Sequence, residues 1–131
     1  MKEYKKYILL FLAVSSLLFA RVPIDPNRIR ITSTFGEFRT DHFHNGVDFG
    51  GNKMEIYPVK DGEIVYYIDE EEDPTRPLYG VGNVLMIEHP DSLRSYYYHI
   101  ESGSIEKSYA KVTEKDAVAL TGNSGRSGGA H

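Results

Sequence analysis

The feature that most constrains this fold is the lack of helical periodicity after residue 20. No window of about 11–18 residues there repeats its apolar side chains every three and four positions, as an amphipathic helix would. Short runs rich in β-branched and aromatic residues, bounded by turn residues, take its place and are typical of strands. They cover residues 29–32, 62–69, 83–89, 93–100 and 117–120. The sequence therefore predicts a mainly β domain of antiparallel strands joined by long loops.

Two of these runs carry further detail. Residues 83–89 are almost continuously apolar, which is expected of a strand buried on both faces. The turn residues 90–92 would pair that strand with 93–100. The second run contains three consecutive tyrosines, 96–98, and successive side chains of a strand face opposite sides. At least one tyrosine is therefore expected in the core, while the others could stack on a ligand.

The first twenty residues predict a targeting segment rather than a part of the domain. Three lysines among the first six residues precede an uncharged run over 7–19, and the small Ala20 offers a cleavage position. The sequence predicts a signal peptide at 1–20 and a mature domain at 21–131, exported to the periplasm, the cell envelope or the extracellular medium. A retained N-terminal membrane anchor is the alternative, although the run is shorter than the roughly 20 apolar residues that a spanning helix needs.

Charge and cysteine content exclude several classes of protein. Residues 1–20 carry three lysines and one glutamate, so their removal changes the formal net charge from −4 to −6. An acidic domain without a basic stripe has no electrostatic means of binding nucleic acid or of staying on an anionic membrane after cleavage. The chain contains no cysteine, which excludes disulfides and thiol nucleophiles. An exported domain of this kind must be held together by its core or by a metal.

His44 and Asp48 form the most suggestive pair of polar residues. An offset of four places two side chains on the same side of a helix and also on the same face of a strand. An imidazole nitrogen and a carboxylate oxygen are both zinc ligands, at roughly 2.0–2.2 Å. Asn45 and Gly46, between them, tolerate positive φ and predict a sharp turn that would hold the pair at the mouth of a sheet. A surface turn with a solvated histidine is the alternative for this pair taken alone.

Four segments in order extend this motif along the chain. They are 33–36 with Arg39, 44–49, 97–100 and 121–131, and the segments 57–65 and 80–84 add to them. Together they resemble the lysostaphin-like zinc metallopeptidases, which cut peptide cross-links in bacterial peptidoglycan. The resemblance covers roughly residues 30–131. It implies a mainly β, antiparallel, barrel-sandwich-like metallopeptidase domain.

The resemblance also implies a role for each matching residue. His44 and Asp48 correspond to two zinc ligands of the family. His99 and His131 correspond to histidines that contact the metal-bound water or the developing oxyanion, and they are the catalytic candidates. The family's third zinc ligand is a histidine two positions after the one that His131 matches. We therefore expect a chain that is incomplete at its C-terminus, lacks the closing strand, and is inactive as it stands, because a catalytic zinc has three protein ligands.

The function expected from this resemblance is that of an exported zinc metalloendopeptidase acting on the peptide cross-bridges of peptidoglycan. An alternative is a catalytically inactive binding or regulatory module of the same fold that controls other cell-wall hydrolases. A serine hydrolase is disfavoured because Gly122-Asn123-Ser124-Gly125 lacks the spacing of a nucleophile elbow, and the Gly-x-Ser-x-Gly match at 125–129 is not followed by a predicted helix. A lipoyl-like carrier is disfavoured because no lysine lies in a suitable hairpin. Arg126 either contacts a substrate carboxylate or is solvated. His42, two residues before His44, is expected to be exposed or paired rather than a ligand.

Overall fold

The structure is a computed structural model that describes residues 21–75, 80–107 and 110–131. Every strand pairing within these ranges is antiparallel, and their helical content is a single 3-10 turn. The prediction of a mainly β domain is therefore confirmed. The predicted signal peptide at 1–20 lies outside the described residues and stays a prediction. Nowhere in the described part of the chain is a helix long and apolar enough to span a bilayer.

Eight short strands follow the 3-10 helix in the described residues. The helix, Pro26–Arg28, begins after Asp25, whose side chain accepts a hydrogen bond from the Asn27 N–H at 2.9 Å. The strands are β1 (Ile31–Ser33), β2 (Asp48–Phe49), β3 (Glu55–Ile56), β4 (Gly62–Ile68), β5 (Val84–Glu88), β6 (Arg94–Tyr97), β7 (Lys111–Val112) and β8 (Ala119–Leu120). They form a four-stranded sheet in the order β6-β5-β4-β7 and two two-stranded sheets, β1-β2 and β3-β8.

The four-stranded sheet confirms the strongest strand predictions. β4 and β5 pair with Ile64 opposite Ile87, and an irregularity in register follows Ile64. β5 and β6 pair with Leu85 opposite Tyr97, as the turn residues between them predict. Since β5 lies between two strands, its backbone is hydrogen-bonded along both edges. The segment that carries His99 follows β6 at the edge of this sheet.

The hydrophobic core joins the four-stranded sheet to the β3-β8 pair. Its buried members are Ile56, Leu85, Ile87, Tyr97, Ile100, Ile105, Val112, Val118 and Ala119. Leu85 and Ile87 are completely buried, and Val84, which faces the opposite side of β5, is buried as well. Met86 and Glu88 are half-buried, so β5 is covered on both faces only at its start. Burying each large apolar side chain contributes about 1.5–3 kcal/mol to folding.

The three tyrosines divide between core and surface as the alternation predicts. Tyr97 is buried, whereas Tyr96 and Tyr98 are exposed and their ring centroids lie 6.2 Å apart. The Tyr97 hydroxyl accepts a hydrogen bond from the Val59 N–H at 3.0 Å and contacts the Ser95 hydroxyl at 3.0 Å. A buried tyrosine needs such partners for its polar end. The arrangement fixes β6 and leaves two tyrosine rings for the surface.

β1 overlaps the strand predicted at 29–32 and covers residues 31–33. Ile29 and Ile31 are 42% and 54% exposed, whereas Ser33 is buried. In described residues the only partner of β1 is β2, with Ser33 opposite Asp48 and a register shift between Ile31 and Ser33. This pairing sets the Ser33 hydroxyl among polar partners and beside the candidate ligand.

β6 and β8 are two or more residues shorter than predicted, β6 at its end and β8 at its start. β6 stops at Tyr97 rather than at residue 100, because His99 has a φ of 57°, which no extended strand contains. β8 covers 119–120 of the predicted 117–120. The early end of β6 matters for the site, because the chain turns at His99 and carries its side chain away from the sheet.

Candidate metal centre

A short hairpin between β1 and β2 presents His44. Its backbone hydrogen bonds run from the Gly36 N–H to the His44 carbonyl (2.8 Å) and from the His44 N–H to the Glu37 carbonyl (2.9 Å). Phe38 and Phe43 form a β-bridge across the hairpin, with their rings edge to face at 5.6 Å. Because two backbone hydrogen bonds hold it to the opposite strand of the hairpin, His44 has a fixed position close to the end of β1.

The structure brings His44 and Asp48 into contact. The distance from His44 Nε2 to Asp48 Oδ1 is 3.0 Å, and the two side chains are 16% and 22% exposed. The chain between them bends at Gly46, yet neither Asn45 nor Gly46 has a positive φ. The predicted bend between the pair is therefore present, and ordinary backbone angles over three intervening residues are enough to form it.

His131 approaches the same carboxylate from the Gly-rich segment. Its Nε2 lies 3.8 Å from Asp48 Oδ1. Its Nδ1 lies 2.7 Å from the Gly129 carbonyl and 3.2 Å from Ser127 Oγ. The His131 backbone N–H donates to the Gly122 carbonyl at 3.1 Å. The ring is thus tied to its own loop on one edge and faces the carboxylate with the other.

His99 completes the group from the end of the four-stranded sheet. Its φ of 57° is unusual for a residue with a side chain and costs of order 1–3 kcal/mol, which the surrounding contacts must offset. The backbone N–H donates to the Val81 carbonyl at 2.9 Å, and Nδ1 lies 2.8 Å from the Ser124 carbonyl. The ring centroid is 4.7 Å from that of His131. Burial lowers the pKa of His99 below its ordinary value of 6.5, and the neighbouring His131 lowers it further.

Hydrogen-bond partners assign the proton of each neutral imidazole to Nδ1. The acceptors are the carbonyls of Thr34 for His44 (2.9 Å), of Ser124 for His99 and of Gly129 for His131. A carbonyl oxygen only accepts, so Nδ1 must donate and Nε2 carries the lone pair. For His44 that lone pair faces a carboxylate oxygen at 3.0 Å. Two acceptors at this distance repel each other unless a cation, a proton or a metal ion, lies between them.

The two donors fit zinc by type and by distance. Donors bound to one tetrahedral zinc at 2.0–2.2 Å are roughly 3.3–3.6 Å apart, and the observed 3.0 Å needs to widen only slightly. A ligating histidine normally donates its other ring N–H to a carbonyl or carboxylate, as His44 does. Over 21–75, 80–107 and 110–131, no group of three or more His, Cys, Asp or Glu side chains is arranged to hold a metal. The described residues therefore offer two zinc ligands, and their binding of zinc stays a prediction.

All four candidate residues line one cleft with a volume of about 1170 Å³. Tyr96, Tyr98 and Arg126 line it as well. The remaining two histidines make other contacts. His42 bonds to Asp41 at 2.5 Å with its side chain 66% exposed, as expected of a residue that is not a ligand. His89 is buried outside the cleft and bonds to the Asp61 carbonyl and to Ser95 Oγ, both at 3.0 Å.

The groups that orient these rings were not identified by sequence reasoning. Three of them are backbone carbonyls, which no residue type signals. Ser33 and Arg39, unlike the carbonyls, are side chains that the sequence shows, and both belong to the first segment that resembles the peptidase family. Arg39 Nη2 lies 2.6 Å from Ser33 Oγ and 3.4 Å from Asp48 Oδ2. Their position in that segment is the sequence signal that could have identified them as partners of the candidate ligands.

Comparison with known proteins places similar sequences among peptidases. A family model described as peptidase family M23 matches residues 42–131. The peptidoglycan DD-endopeptidase ShyA of Vibrio cholerae serotype O1 is 30% identical over 120 residues, which cover 86% of this chain and 26% of ShyA.

Two solved structures have the same fold. A zinc-containing peptidase from Vibrio cholerae superposes with a TM-score of 0.69 at 30% identity, over 86% of this chain and 34% of that one. LytU superposes with a TM-score of 0.62 at 27% identity, over 79% of this chain and 69% of LytU. The chain thus spans about a quarter of ShyA and about a third of the zinc-containing peptidase. The antiparallel β fold predicted from the resemblance is confirmed.

Proposed function

This chain belongs to peptidase family M23, and from that premise we propose that it is an exported zinc metalloendopeptidase that hydrolyses the peptide cross-links of peptidoglycan. The observation that carries the proposal is the 3.0 Å contact between His44 Nε2 and Asp48 Oδ1, which brings together two donor types that zinc accepts. Support also comes from ShyA, whose name is that of a peptidoglycan DD-endopeptidase, and from the similar structure described as a zinc-containing peptidase.

In this proposal His44 and Asp48 hold the zinc ion together with a third ligand, which the family pattern places two positions after His131. Bound zinc would supply a Lewis acid for the peptide carbonyl and a water whose pKa falls to about 7. The chain's own contribution is to fix the two donors. The Thr34 carbonyl holds Nδ1 of the imidazole, and Arg39 contacts Oδ2 of the carboxylate, so Nε2 and Oδ1 are left facing each other.

His99 and His131 are proposed to move the proton during hydrolysis. Each ring has its Nδ1 held by a carbonyl, so Nε2 is the nitrogen that can accept a proton from the attacking water and pass it to the departing amine. A ring in this tautomer donates to an oxyanion only after it has taken up a proton. Burial lowers the pKa of His99, which keeps this ring neutral and able to accept near neutral pH.

The cleft suits an extended peptide rather than a compact small molecule. Its volume of about 1170 Å³ exceeds the range of roughly 300–1,000 Å³ that is usual for small-molecule pockets. Tyr96 and Tyr98 expose ring faces in it, and Arg126 offers a guanidinium that would pair with a substrate carboxylate. These groups support a substrate that combines peptide backbone with free carboxylates.

Digestion of purified peptidoglycan by the native protein tests the proposal. We expect the zinc-loaded protein to release muropeptides, to stop when a chelator removes the metal, and to resume when zinc is restored. His44→Ala should abolish both zinc binding and release. His42→Ala is the matched control for the metal and should keep zinc binding, because His42 is exposed and paired with Asp41 although it lines the same cleft. Failure of a zinc-bound wild-type protein to release muropeptides would refute the peptidase assignment.

A second candidate is a regulatory module that binds cell-wall hydrolases without cutting peptidoglycan. It is favoured by the lack of any group of three ligands among the described residues. A protein consisting of residues 1–131 alone should be inactive, because a catalytic zinc has three protein ligands. Native mass spectrometry separates the two candidates. A mass that requires residues after His131, once removal of 1–20 is allowed for, with one zinc bound supports the peptidase. The mass of residues 21–131 or 1–131 without zinc supports the module.

A further inference from the structure

Ser33 is the most connected polar side chain near the candidate ligands. It is the last residue of β1, lies opposite Asp48 in the β1-β2 pairing, and is buried. Its Oγ lies 2.7 Å from Glu37 Oε2, 2.6 Å from Arg39 Nη2 and 3.1 Å from His44 Nδ1. The Ser33 hydroxyl thus contacts the candidate ligand His44 directly. It also contacts the Arg39 guanidinium, which in turn contacts the candidate ligand Asp48.

The direction of each hydrogen bond follows from what the partners can do. A guanidinium only donates, so Arg39 donates to Ser33 Oγ. A carboxylate only accepts, so the Ser33 hydroxyl donates to Glu37; this bond is also the main reason why the pKa of Glu37 lies below its ordinary value. The serine has then used its hydrogen and one lone pair. The remaining contact, with His44 Nδ1, must be a donation from the imidazole, which agrees with the tautomer assigned from the Thr34 carbonyl.

The contact with Arg39 gives the two carboxylate oxygens of Asp48 different partners. Arg39 Nη2 contacts Oδ2 at 3.4 Å, while Oδ1 faces His44 Nε2 at 3.0 Å. A guanidinium on Oδ2 holds the carboxylate plane and leaves Oδ1 directed into the cleft. Because Arg39 is anchored on Ser33 at 2.6 Å, the position of the serine sets the position of the guanidinium.

We propose that Ser33 is a positioning residue that holds His44 directly, and Asp48 through Arg39, in the arrangement that binds zinc. Glu37 completes the device by fixing the direction of the Ser33 hydroxyl. The inference rests on the proposed function, since it concerns the same metal. Outer partners of ligating side chains typically change metal affinity by roughly 10–100-fold when they are removed.

Zinc affinity of the native protein, measured by competition with a chromophoric chelator, tests the inference. Ser33→Ala should weaken zinc binding by roughly 10–100-fold and alter the ligand-field absorption bands of the cobalt-substituted protein. Ser33→Thr, which keeps a hydroxyl on the same carbon, should restore most of the affinity. A purely structural role for this serine would change the unfolding of the metal-free protein and leave the cobalt bands unchanged.

Thr32→Val is the matched control. It removes a hydroxyl from the preceding residue of the same strand, and that hydroxyl contacts only the Asp48 carbonyl, at 3.4 Å. Zinc affinity should stay at the wild-type level. Where Ser33→Ala does not fold, Glu37→Ala takes its place, because the Glu37 side chain is exposed and its loss frees the Ser33 hydroxyl to rotate. A several-fold weaker affinity in that variant supports the inference.

The outcomes separate this inference from the proposed function. A wild-type protein that binds no zinc overturns both. A wild-type protein that binds zinc, with Ser33→Ala or its replacement Glu37→Ala binding equally tightly, overturns only the role of Ser33. Weakened binding in Thr32→Val by the same factor as in Ser33→Ala also overturns it, because the effect would then belong to the strand rather than to the hydroxyl.

Discussion

Gly82 is the position where one added methyl group should disturb both the fold and the site. It precedes β5, has a φ of 65°, and a Cβ built on it would lie 2.5 Å from the backbone C and O of Ser124 and from its Oγ. Ser124 is held there by its side chain, which accepts a hydrogen bond from the Asn83 N–H at 2.9 Å and donates to the Ile100 carbonyl at 2.8 Å. Its own carbonyl accepts from His99 Nδ1. Gly82→Ala must therefore shift the residue that orients His99.

The expected cost has two parts. Holding a non-glycine residue in the left-handed region costs about 1–2 kcal/mol. Forcing a methyl group into a packed contact costs typically about 1–3 kcal/mol, and here rotation of a side chain cannot relieve it, because two of the three contacted atoms belong to the Ser124 backbone. Gly82→Ala should thus lower the free energy of unfolding by roughly 2–5 kcal/mol, a large share of the 5–15 kcal/mol that is typical of a domain.

Urea unfolding of matched glycine variants separates these two parts. Gly36 has a φ of 78° with no atom within 4 Å of the position that an added methyl group would take, so Gly36→Ala reports the backbone cost alone, about 1–2 kcal/mol. Gly80 has neither feature, and Gly80→Ala should stay within about 0.5 kcal/mol of wild type. If Gly82→Ala is no more destabilising than Gly36→Ala, the close packing of Gly82 on Ser124 does not constrain the fold and the reasoning is refuted.

Three further outcomes can be checked on the same protein. Ile87→Ala should lower the free energy of unfolding by about 2–5 kcal/mol, because Ile87 is completely buried; Leu93→Ala, at a residue 65% exposed, should change it by less than about 0.5 kcal/mol. In NMR of the metal-free protein His99 should titrate below 6.5, because burial disfavours its charged form and so lowers its pKa. The neutral His99 ring then contributes fully to the free energy of unfolding above pH 6.5, and this contribution is lost as the pH falls below that value, since the unfolded chain takes up the proton first. An NMR titration midpoint of His99 at or above 6.5 would contradict this. A double-mutant cycle between Phe38 and Phe43 should give a coupling of about 0.5–1.5 kcal/mol from their edge-to-face contact, and zero coupling would show that the exposed pair does not stabilise the hairpin.

The four-stranded sheet could be predicted because its strands depend on local patterns. The β-branched and aromatic residues of β4 and β5 and the turn between β5 and β6 favour extended chain and can be recognised within a short window of sequence. The side that β1 turns inward could not be predicted in this way. Its inward direction at Ser33 is set by Glu37, Arg39 and His44, which approach only after the hairpin has formed. The alternation of Ile29 and Ile31 with polar residues predicts only an extended chain there.

The candidate site shows the same division between residue identity and orientation. The His-x-x-x-Asp spacing and the resemblance to the peptidase family identified four candidate site residues, and the structure places all four in one cleft. They are His44, Asp48, His99 and His131. The backbone that aims them was not predictable. Positive φ occurs at His99 rather than at Asn45 or Gly46, since the chain must leave β6 abruptly at His99 but has three residues in which to bend between His44 and Asp48.

Backbone carbonyls set the tautomer of the histidines in this site. Three imidazoles from three separate parts of the chain each direct Nδ1 to a carbonyl oxygen. A carbonyl is present whatever side chain its residue carries, so substitutions at Thr34, Ser124 or Gly129 that leave the loop path unchanged should keep the same tautomer. Substitutions that alter the loop path should move the carbonyl and so change the tautomer. A methyl group at Gly82 touches none of the rings, yet it displaces the Ser124 carbonyl on which the Nε2 lone pair of His99 depends. The acid–base chemistry of His99 should therefore be more sensitive to Gly82→Ala than that of His44 is to a change of the exposed Thr34 side chain.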